Sequence, residues 1–499
     1  MTATEVSTAT AVLVFAPLFV AALVALAADT FDARRLAIGS SIVALVFSAG
    51  VGLYAGVRFP VADFLGVFRS GGPFSGVPGV IAGCAALALA GGWSSLSRRD
   101  GGGTTAALIT LGAAAAGLMA AANDLTTLLL VVEMSAIIAY ALVSDARTAR
   151  SDEAAMKYFI QGSVATGFFV LGMAVLVGVF APTGRYSQLA ATLGDGPLTG
   201  PALVGSILLM AALAFKIGLA PFHAWAPDAY ETAPVPGAAF LAAGPKLGAL
   251  AALALFVAVV DAGGQSDRVV PVVLALSVVS VVVGSLGALA QPSFRRMLAY
   301  AGVAQMGYSL LAVAMLDASS AVFFVATYSL ATTGTFLSAE AFSRVHPQWD
   351  GTIAGLAGLG RKAPAVSAGL SVLLISLAGI PPLLGFWGKF QVFATAILGS
   401  VSALLESGSS LMGWFLAIAV GVGLTGSIIS LGYYGSVLRS LYLADPFAPS
   451  SAEDSLEVAD EGEGASSAVV VLVAIIAVVL GIAPAIWGYS FLLQPFIAR

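Results

Sequence analysis

Five ionisable side chains interrupt otherwise apolar stretches of this sequence: Glu133, Lys157, Lys216, Lys246 and Lys389. Lys216 lies in ALAFKIGLAPFHAWAPDAY (212–230), shortly before Pro221. Lys246 follows Gly244-Pro245, and Lys389 follows Pro381-Pro382 in LAGIPPLLGFWGKFQVF (377–393). In a bilayer, a lysine at a helix centre costs about 2.5–3.5 kcal/mol on insertion scales, so each such residue is a candidate functional site. A proline in the same place removes a backbone hydrogen bond. Irregular backbone at that depth is tolerated only inside protein or along a water-filled cavity.

The choice of cation is informative. Of the five lysines, only Lys362 is clearly in a loop, whereas every arginine falls in a loop, at a helix end or at the C-terminus. A buried lysine can give up its proton near neutral pH, and an arginine cannot. Lysine at these positions suits proton exchange better than static charge pairing. Lys157 lies near the start of its apolar run, where snorkelling to the interface is an equal alternative. Glu133 sits mid-way along Leu125–Val143 and needs a proton or a partner. Lys216 and Lys246 are the natural partners, and a pair that closes and separates has the two states a pump requires. A purely structural ion pair is the alternative.

Other polar residues could support such a path. His223 follows Pro221 and could relay protons, or simply pack at a helix end. Tyr300, Gln305 and Tyr308 fall on one apolar run, and Tyr328, Thr332, Thr333 and Thr335 on the next. They could line a water chain from Lys246 to Lys389, or hydrogen-bond neighbouring helices. Glu340 lies near a helix end and His346 in a loop.

These positions need membrane helices to hold them. The 499 residues are 59% hydrophobic and 9% charged, against about 25% charged in soluble domains. Mean hydropathy is +1.00. Apolar runs of membrane-crossing length number about fourteen. They lie near 9–28, 36–57, 76–95, 103–122, 125–143, 154–180, 201–221, 235–260, 269–290, 298–315, 319–342, 364–395, 411–438 and 467–491. They are continuous rather than alternating, which excludes β-barrel strands. The expected fold is an all-α polytopic membrane protein. Loops on one side carry Arg34, Arg35, Arg98, Arg99, Arg147, Arg150, Arg295, Arg296, Arg344, Arg361, Lys362 and Arg439. The opposite side has only Arg58, Arg69, Arg185 and Arg268, with Arg499 at the terminus. The richer side should be cytoplasmic, with both termini outward. The acidic stretch Asp445–Gly464 reads as a cytoplasmic linker.

Composition also sets limits. One cysteine, Cys84, and two histidines, His223 and His346, exclude a Cys-ligated iron–sulfur cluster within this chain and argue against haem. No metal or cofactor site is expected. Gly355–Gly360 lacks the spacing of a dinucleotide loop, and no nucleic-acid partner is expected. The first apolar run follows Glu5 without a preceding Lys or Arg, so no secretory signal is evident.

An internal repeat is also visible. Gly218-Leu-Ala-Pro221 is followed by Trp225, and Gly379-Ile-Pro-Pro382 by Trp387, each break with a lysine nearby. The breaks fall on the seventh and twelfth runs. That odd offset makes the second copy enter from the opposite side, as in inverted repeats of ion-coupled transporters. The expected division is residues 1–100 (helices 1–3), 101–262 (first repeat, helices 4–8), 263–442 (second repeat, helices 9–13) and 443–499 (acidic loop and helix 14).

The stretches FKIGLAPFHAWAPDAYETAPVP (215–236), FLAAGPKLGAL (240–250), RRMLAYAGVAQMGY (295–308) and GIPPLLGFWGKF (379–390) resemble a family. It is the antiporter-like membrane subunits of respiratory complex I, shared with cation/proton antiporter complexes. The resemblance covers roughly runs four to thirteen. It implies proton-translocating roles for Glu133 on the fifth helix, Lys216 on the broken seventh, Lys246 on the eighth and Lys389 on the broken twelfth. Within the family, Lys389 argues against the M branch, which generally has glutamate there. The chain's end shortly after its last run argues against the L branch, with its lateral helix. The fourteen-helix bacterial N branch of NADH-quinone oxidoreductase is the remaining resemblance. It implies a subunit of a translocase in the bacterial inner membrane. FMN, iron–sulfur clusters and quinone would be held by partner subunits. Its neighbours would be antiporter-like subunit M, small membrane subunits and lipids. Subunits of a cation/proton antiporter or membrane-bound hydrogenase complex, and a structural spacer, are the other readings.

Overall fold

The computed structural model describes residues 3–58, 62–64, 66–70, 74, 76–179, 184–194, 200–406, 411–444 and 464–487. The acidic stretch read as a linker lies outside the described residues except for Gly464. The chain begins with α1 (Ala3–Thr30) and α2 (Arg34–Arg58), then a small antiparallel hairpin of β1 (Ala62–Phe64) and β2 (Phe68–Ser70). There follow α3 (Val77–Gly91), α4 (Trp93–Leu96), α5 (Gly102–Ala121), α6 (Leu125–Ser144), α7 (Ala149–Val179) and α8 (Tyr186–Gly194). Next come α9 (Gly200–Ile217), α10 (Trp225–Thr232), α11 (Val235–Ala262), α12 (Ser266–Leu289), α13 (Phe294–Ala314) and α14 (Ala318–Val345). The last are α15 (Leu359–Lys362), α16 (Pro364–Ala378), α17 (Leu384–Glu406), α18 (Leu411–Leu443) and α19 (Ala465–Trp487).

Thirteen described helices are long and apolar enough to cross a membrane. The difference from the expected fourteen has a physical reason. α3 has 15 residues, about 22 Å at helical rise, against about 30 Å of hydrocarbon. The run 364–395 is not one helix but α16 and α17, separated by a break.

Polar side chains set several helix starts. The Asp124 carboxylate accepts from the Thr127 backbone N–H at 2.8 Å and opens α6. Ser293 does the same for α13 through Arg296 N, and Asp317 for α14 through Ser320 N. Such caps are worth about 0.5–2 kcal/mol each. The centre is formed by α11, α13 and α14, which are buried along nearly their whole lengths. α7, α17 and α18 instead expose apolar faces, such as Phe159, Ile160 and Val164 or Leu398, Ile418 and Ile428. A helix that is apolar all round and buried all round is a core helix. The innermost helices are therefore also those that carry Lys246, Gln305 and Tyr328.

The Gly244-Pro245 pair allows a local irregularity beside Lys246. The helix shows no break there: α11 runs through Pro245. Pro245 lacks the N–H that would serve the carbonyl of Leu241. The Tyr230 hydroxyl donates to that carbonyl at 3.2 Å instead.

Candidate functional site

Two helix breaks of the same construction frame the site. α9 ends at Ile217, and Gly218 follows at φ +81°. Leu219 N donates to Ala214 O at 2.9 Å and Gly218 N to Phe215 O at 3.0 Å. α16 ends at Ala378, and Gly379 follows at φ +85°. Ile380 N donates to Ile375 O at 3.2 Å and Gly379 N to Ser376 O at 2.9 Å. Both are glycine caps with paired 6→1 and 5→2 bonds, and the positive φ explains why glycine stands there. A cis proline follows each: Ala220–Pro221 and Pro381–Pro382.

Each break leaves carbonyls that need donors. At the first, Trp225 Nε1 donates to Phe215 O at 3.0 Å. The Trp225 ring stacks on Tyr158 at 4.0 Å, which holds α10 against α7. At the second, Lys389 Nζ donates to Ala378 O at 3.0 Å and Gln305 Nε2 to Leu377 O at 3.0 Å. A cation at a helix C-terminus also gains from the helix dipole, by about 0.3–1 kcal/mol or more when partly buried. Lys389 therefore holds the end of α16 as well as being a candidate proton carrier. Its ammonium also reaches Ser427 Oγ at 3.2 Å and lies 5.2 Å from the Tyr308 ring centre. Trp387, the counterpart of Trp225 in sequence, instead donates to Gly481 O of α19 at 2.7 Å.

Lys216 and Lys246 sit at the first break and are 2% and 0% exposed. Neither ammonium has a hydrogen-bond partner among the described residues. The Lys246 ammonium lies 5.3 Å from the Tyr230 ring centre and 5.9 Å from that of Tyr328. Aromatic faces offset part of the desolvation of a cation but do not replace hydrogen bonds.

Glu133 is partly buried and accepts from Thr166 Oγ1 of α7 at 2.6 Å. Among the described residues no ion pair within 4.0 Å joins it to a lysine; Lys216 lies within its electrostatic reach. The expected Glu–Lys pair is thus separated in this structure, with a threonine on the carboxylate. Leu130 and Ile137, on the same helical face, are 66% and 65% exposed, so Glu133 sits at the chain's lateral edge.

A single stripe of α13 connects the two breaks. Gly302, Gln305 and Tyr308 follow at intervals of three. A Cβ at Gly302 would lie 2.8 Å from Lys246 Nζ and 2.6 Å from Tyr328 Oη. Gln305 contacts Leu377 O, and Tyr308 lies beneath Lys389. Thr332 lies beside Tyr328, one turn away on α14. Tyr300 points elsewhere and meets His223 edge-on at 5.9 Å. Thr333 and Thr335 donate to Ser329 O and Ala331 O of their own helix. Lys157 is half-exposed and ion-paired with Glu153 at 2.7 Å and Asp228 at 3.3 Å. It belongs to a surface cluster, the snorkelling alternative. Glu340 pairs with Arg344 at 3.4 Å.

Sequence reasoning missed Gly302, Thr166 and Ser427. Gly302 has no chemistry of its own, and the two hydroxyls carry no spacing signal. Gly302→Ala should push the Lys246 ammonium off α13. Alanine ordinarily stabilises a helix by up to about 1 kcal/mol over glycine. The atoms met are the tips of Lys246 and Tyr328, but both side chains are buried with little room to swing, so overpacking by about 1–3 kcal/mol should outweigh that gain here. The expected outcome is a lower thermal unfolding midpoint of the purified protein. A raised midpoint would mean that the site has slack.

Residues 122–437 match the family described as NADH:quinone oxidoreductase/Mrp antiporter, transmembrane. NADH-quinone oxidoreductase subunit N of Rhizorhabdus wittichii is 35% identical over 432 residues, covering 85% of this chain and 86% of the relative. A chain of respiratory complex I from Thermus thermophilus with bound aureothin superposes with a TM-score of 0.75 at 27% identity, covering 95% of this chain and 97% of that one. A chain of the Mrp complex from Dietzia sp. has the same fold, with a TM-score of 0.77 at 20% identity over 98% and 96% of the two chains. The chain belongs to the antiporter-like membrane subunits of NADH-quinone oxidoreductase, in the subunit N family, and is a multi-pass membrane protein.

Proposed function

We propose that this member of the subunit N family carries protons across a bacterial inner membrane, driven by NADH oxidation and quinone reduction in partner subunits. The observation that carries the reading is the placement of Lys216, Lys246 and Lys389. All three are buried in the interior of the helix bundle at two helix breaks, and no carboxylate lies within ion-pair distance of any of them among the described residues. A permanently charged group would be paired in such a place. An exchanging group has reason not to be.

The proposed route takes a proton from the cytoplasm to Lys216 and Lys246. It passes along Gly302, Gln305 and Tyr308 of α13, and leaves outward past Lys389. Inverted repeats of residues 101–262 and 263–442 put the two breaks in opposite halves of this route, and both termini face outward. Glu133, at the lateral edge, passes charge state to the neighbouring membrane subunit by approaching or leaving Lys216. Antiporter-like subunit M, small membrane subunits and lipids form the surroundings. FMN, iron–sulfur clusters and quinone belong to the partners.

Purification in mild detergent tests the assembly: peripheral subunits carrying flavin and iron–sulfur clusters should accompany this chain. NADH added to inverted vesicles should drive proton uptake that falls when Glu133 is replaced by Gln. Copurification with no redox subunit would contradict the complex I reading. An assembled Glu133→Gln complex with unchanged protons per NADH would remove Glu133 from the mechanism.

A further inference from the structure

We infer that Arg296 is a positioning residue for Lys246, acting through the half-helix α10. The inference rests on the proton-carrying role proposed above for Lys246. α10 is held from both sides by different chemistry. Its outward face carries Asp228 and Glu231. Arg296 Nη1, in the first turn of α13, donates to Asp228 Oδ1 at 2.7 Å and to Glu231 Oε2 at 3.1 Å. Two cations of α7 add to this grip: Lys157 on Asp228 at 3.3 Å and Arg150 on Glu231 at 3.5 Å. Arg295 donates to the carbonyl of Ala233, which caps the end of α10. A cation is favoured there by the helix dipole.

The inward face of α10 carries Trp225 and Tyr230. Trp225 Nε1 holds Phe215 O, the residue before Lys216. Tyr230 donates to the carbonyl freed by Pro245 and places its ring 5.3 Å from the Lys246 ammonium. Gly218, in the break between α9 and α10, would put a Cβ 3.9 Å from Lys246 Cε. The Tyr230 wall of the Lys246 site therefore moves with α10, while Gly302 of α13 and Tyr328 of α14 form the facing wall. α10 has 8 residues, too few to be stable as a free helix. Its position depends on what grips it. Among the described residues Arg296 is the one cation that reaches both acids, and it stands on the same helix as Gly302, which faces the Lys246 ammonium. Losing Arg296 loosens α10 against α13, with the Arg295 contact left at its C-terminal end, and shifts Tyr230 against a lysine that has no hydrogen bond among the described residues.

Exposed ion pairs are ordinarily worth about 0–1 kcal/mol. A merely structural role should therefore change little beyond the yield of assembled complex. The test measures NADH-driven proton uptake per assembled complex in inverted vesicles across pH. It uses Arg296→Gln, Arg296→Lys and the near-isosteric Asp228→Asn, with Lys246→Ala as reference. Arg296→Gln should slow uptake roughly tenfold, less than the ~100-fold that a 1 Å misplacement of a reacting group can cost, and shift its pH profile. Arg296→Lys, which restores one pair, should recover part of the rate. If Arg296→Gln fails to assemble, Asp228→Asn decides, with a smaller loss and a shift in the same direction. Wild-type uptake and an unshifted profile in the assembled variants overturn the inference. Normal uptake by Lys246→Ala instead overturns the proton-carrying role itself, and the inference falls with it.

Discussion

A complex carrying Lys246→Arg should assemble, oxidise NADH, and take up fewer protons per NADH than the wild type. Arginine preserves the positive charge that a structural role would need. It does not release a proton in a protein, which an exchanging role requires. Among the described residues the site also gives the guanidinium little to bind: two aromatic faces, the bare backbone of Gly302, and no carboxylate in ion-pair reach. Its larger volume should cost about 1–3 kcal/mol and its unpaired buried charge adds to that, so the ratio is read on complexes that retain the variant chain. Assembly is checked by copurification of the flavin subunits. If the variant keeps the wild-type ratio, the Lys246 charge is static and the exchange reading is wrong.

The second large effect is at Lys389, where two roles can be separated. The ammonium donates to Ala378 O at the C-terminus of α16 and to Ser427. Lys389→Leu removes the proton carrier and the donor together. The uncapped carbonyl alone should cost about 1–3 kcal/mol, so both the unfolding temperature and proton uptake should fall. Lys389→Gln keeps an N–H donor of shorter reach but has no exchangeable charge. It should regain part of the stability and none of the uptake. Equal uptake by Lys389→Gln and wild type would make Lys389 a structural cap.

The parts of this site that were legible in sequence have strong chemical signatures. A lysine in an apolar run and a Gly-Pro interruption both carry a cost that must be explained, and Lys216, Lys246, Lys389 and both breaks were found that way. Apolar length located nearly every helix. The division of 364–395 into α16 and α17 was marked by the Gly379–Pro382 interruption and not by apolar length, because the break is as apolar as its flanks. Pro245 allowed an irregularity that α11 does not show: the rule for proline is local, while the remedy, the Tyr230 hydroxyl, comes from another helix. Lys157 already stood apart in sequence, near the start of its run. The fold separates it from Lys216 by what it brings near them, Asp228 and Glu153 in one case and buried apolar packing in the other. Gly302 was invisible because its contribution is the absence of a side chain.

The account stands most directly on one ratio, protons taken up per NADH oxidised by inverted vesicles, compared between Lys246→Arg and wild type at matched rates of NADH oxidation. A ratio clearly below the wild-type value is predicted, since one proton path is closed while the charge stays in place. An equal ratio, with the variant chain shown to be present in the complex, would contradict it.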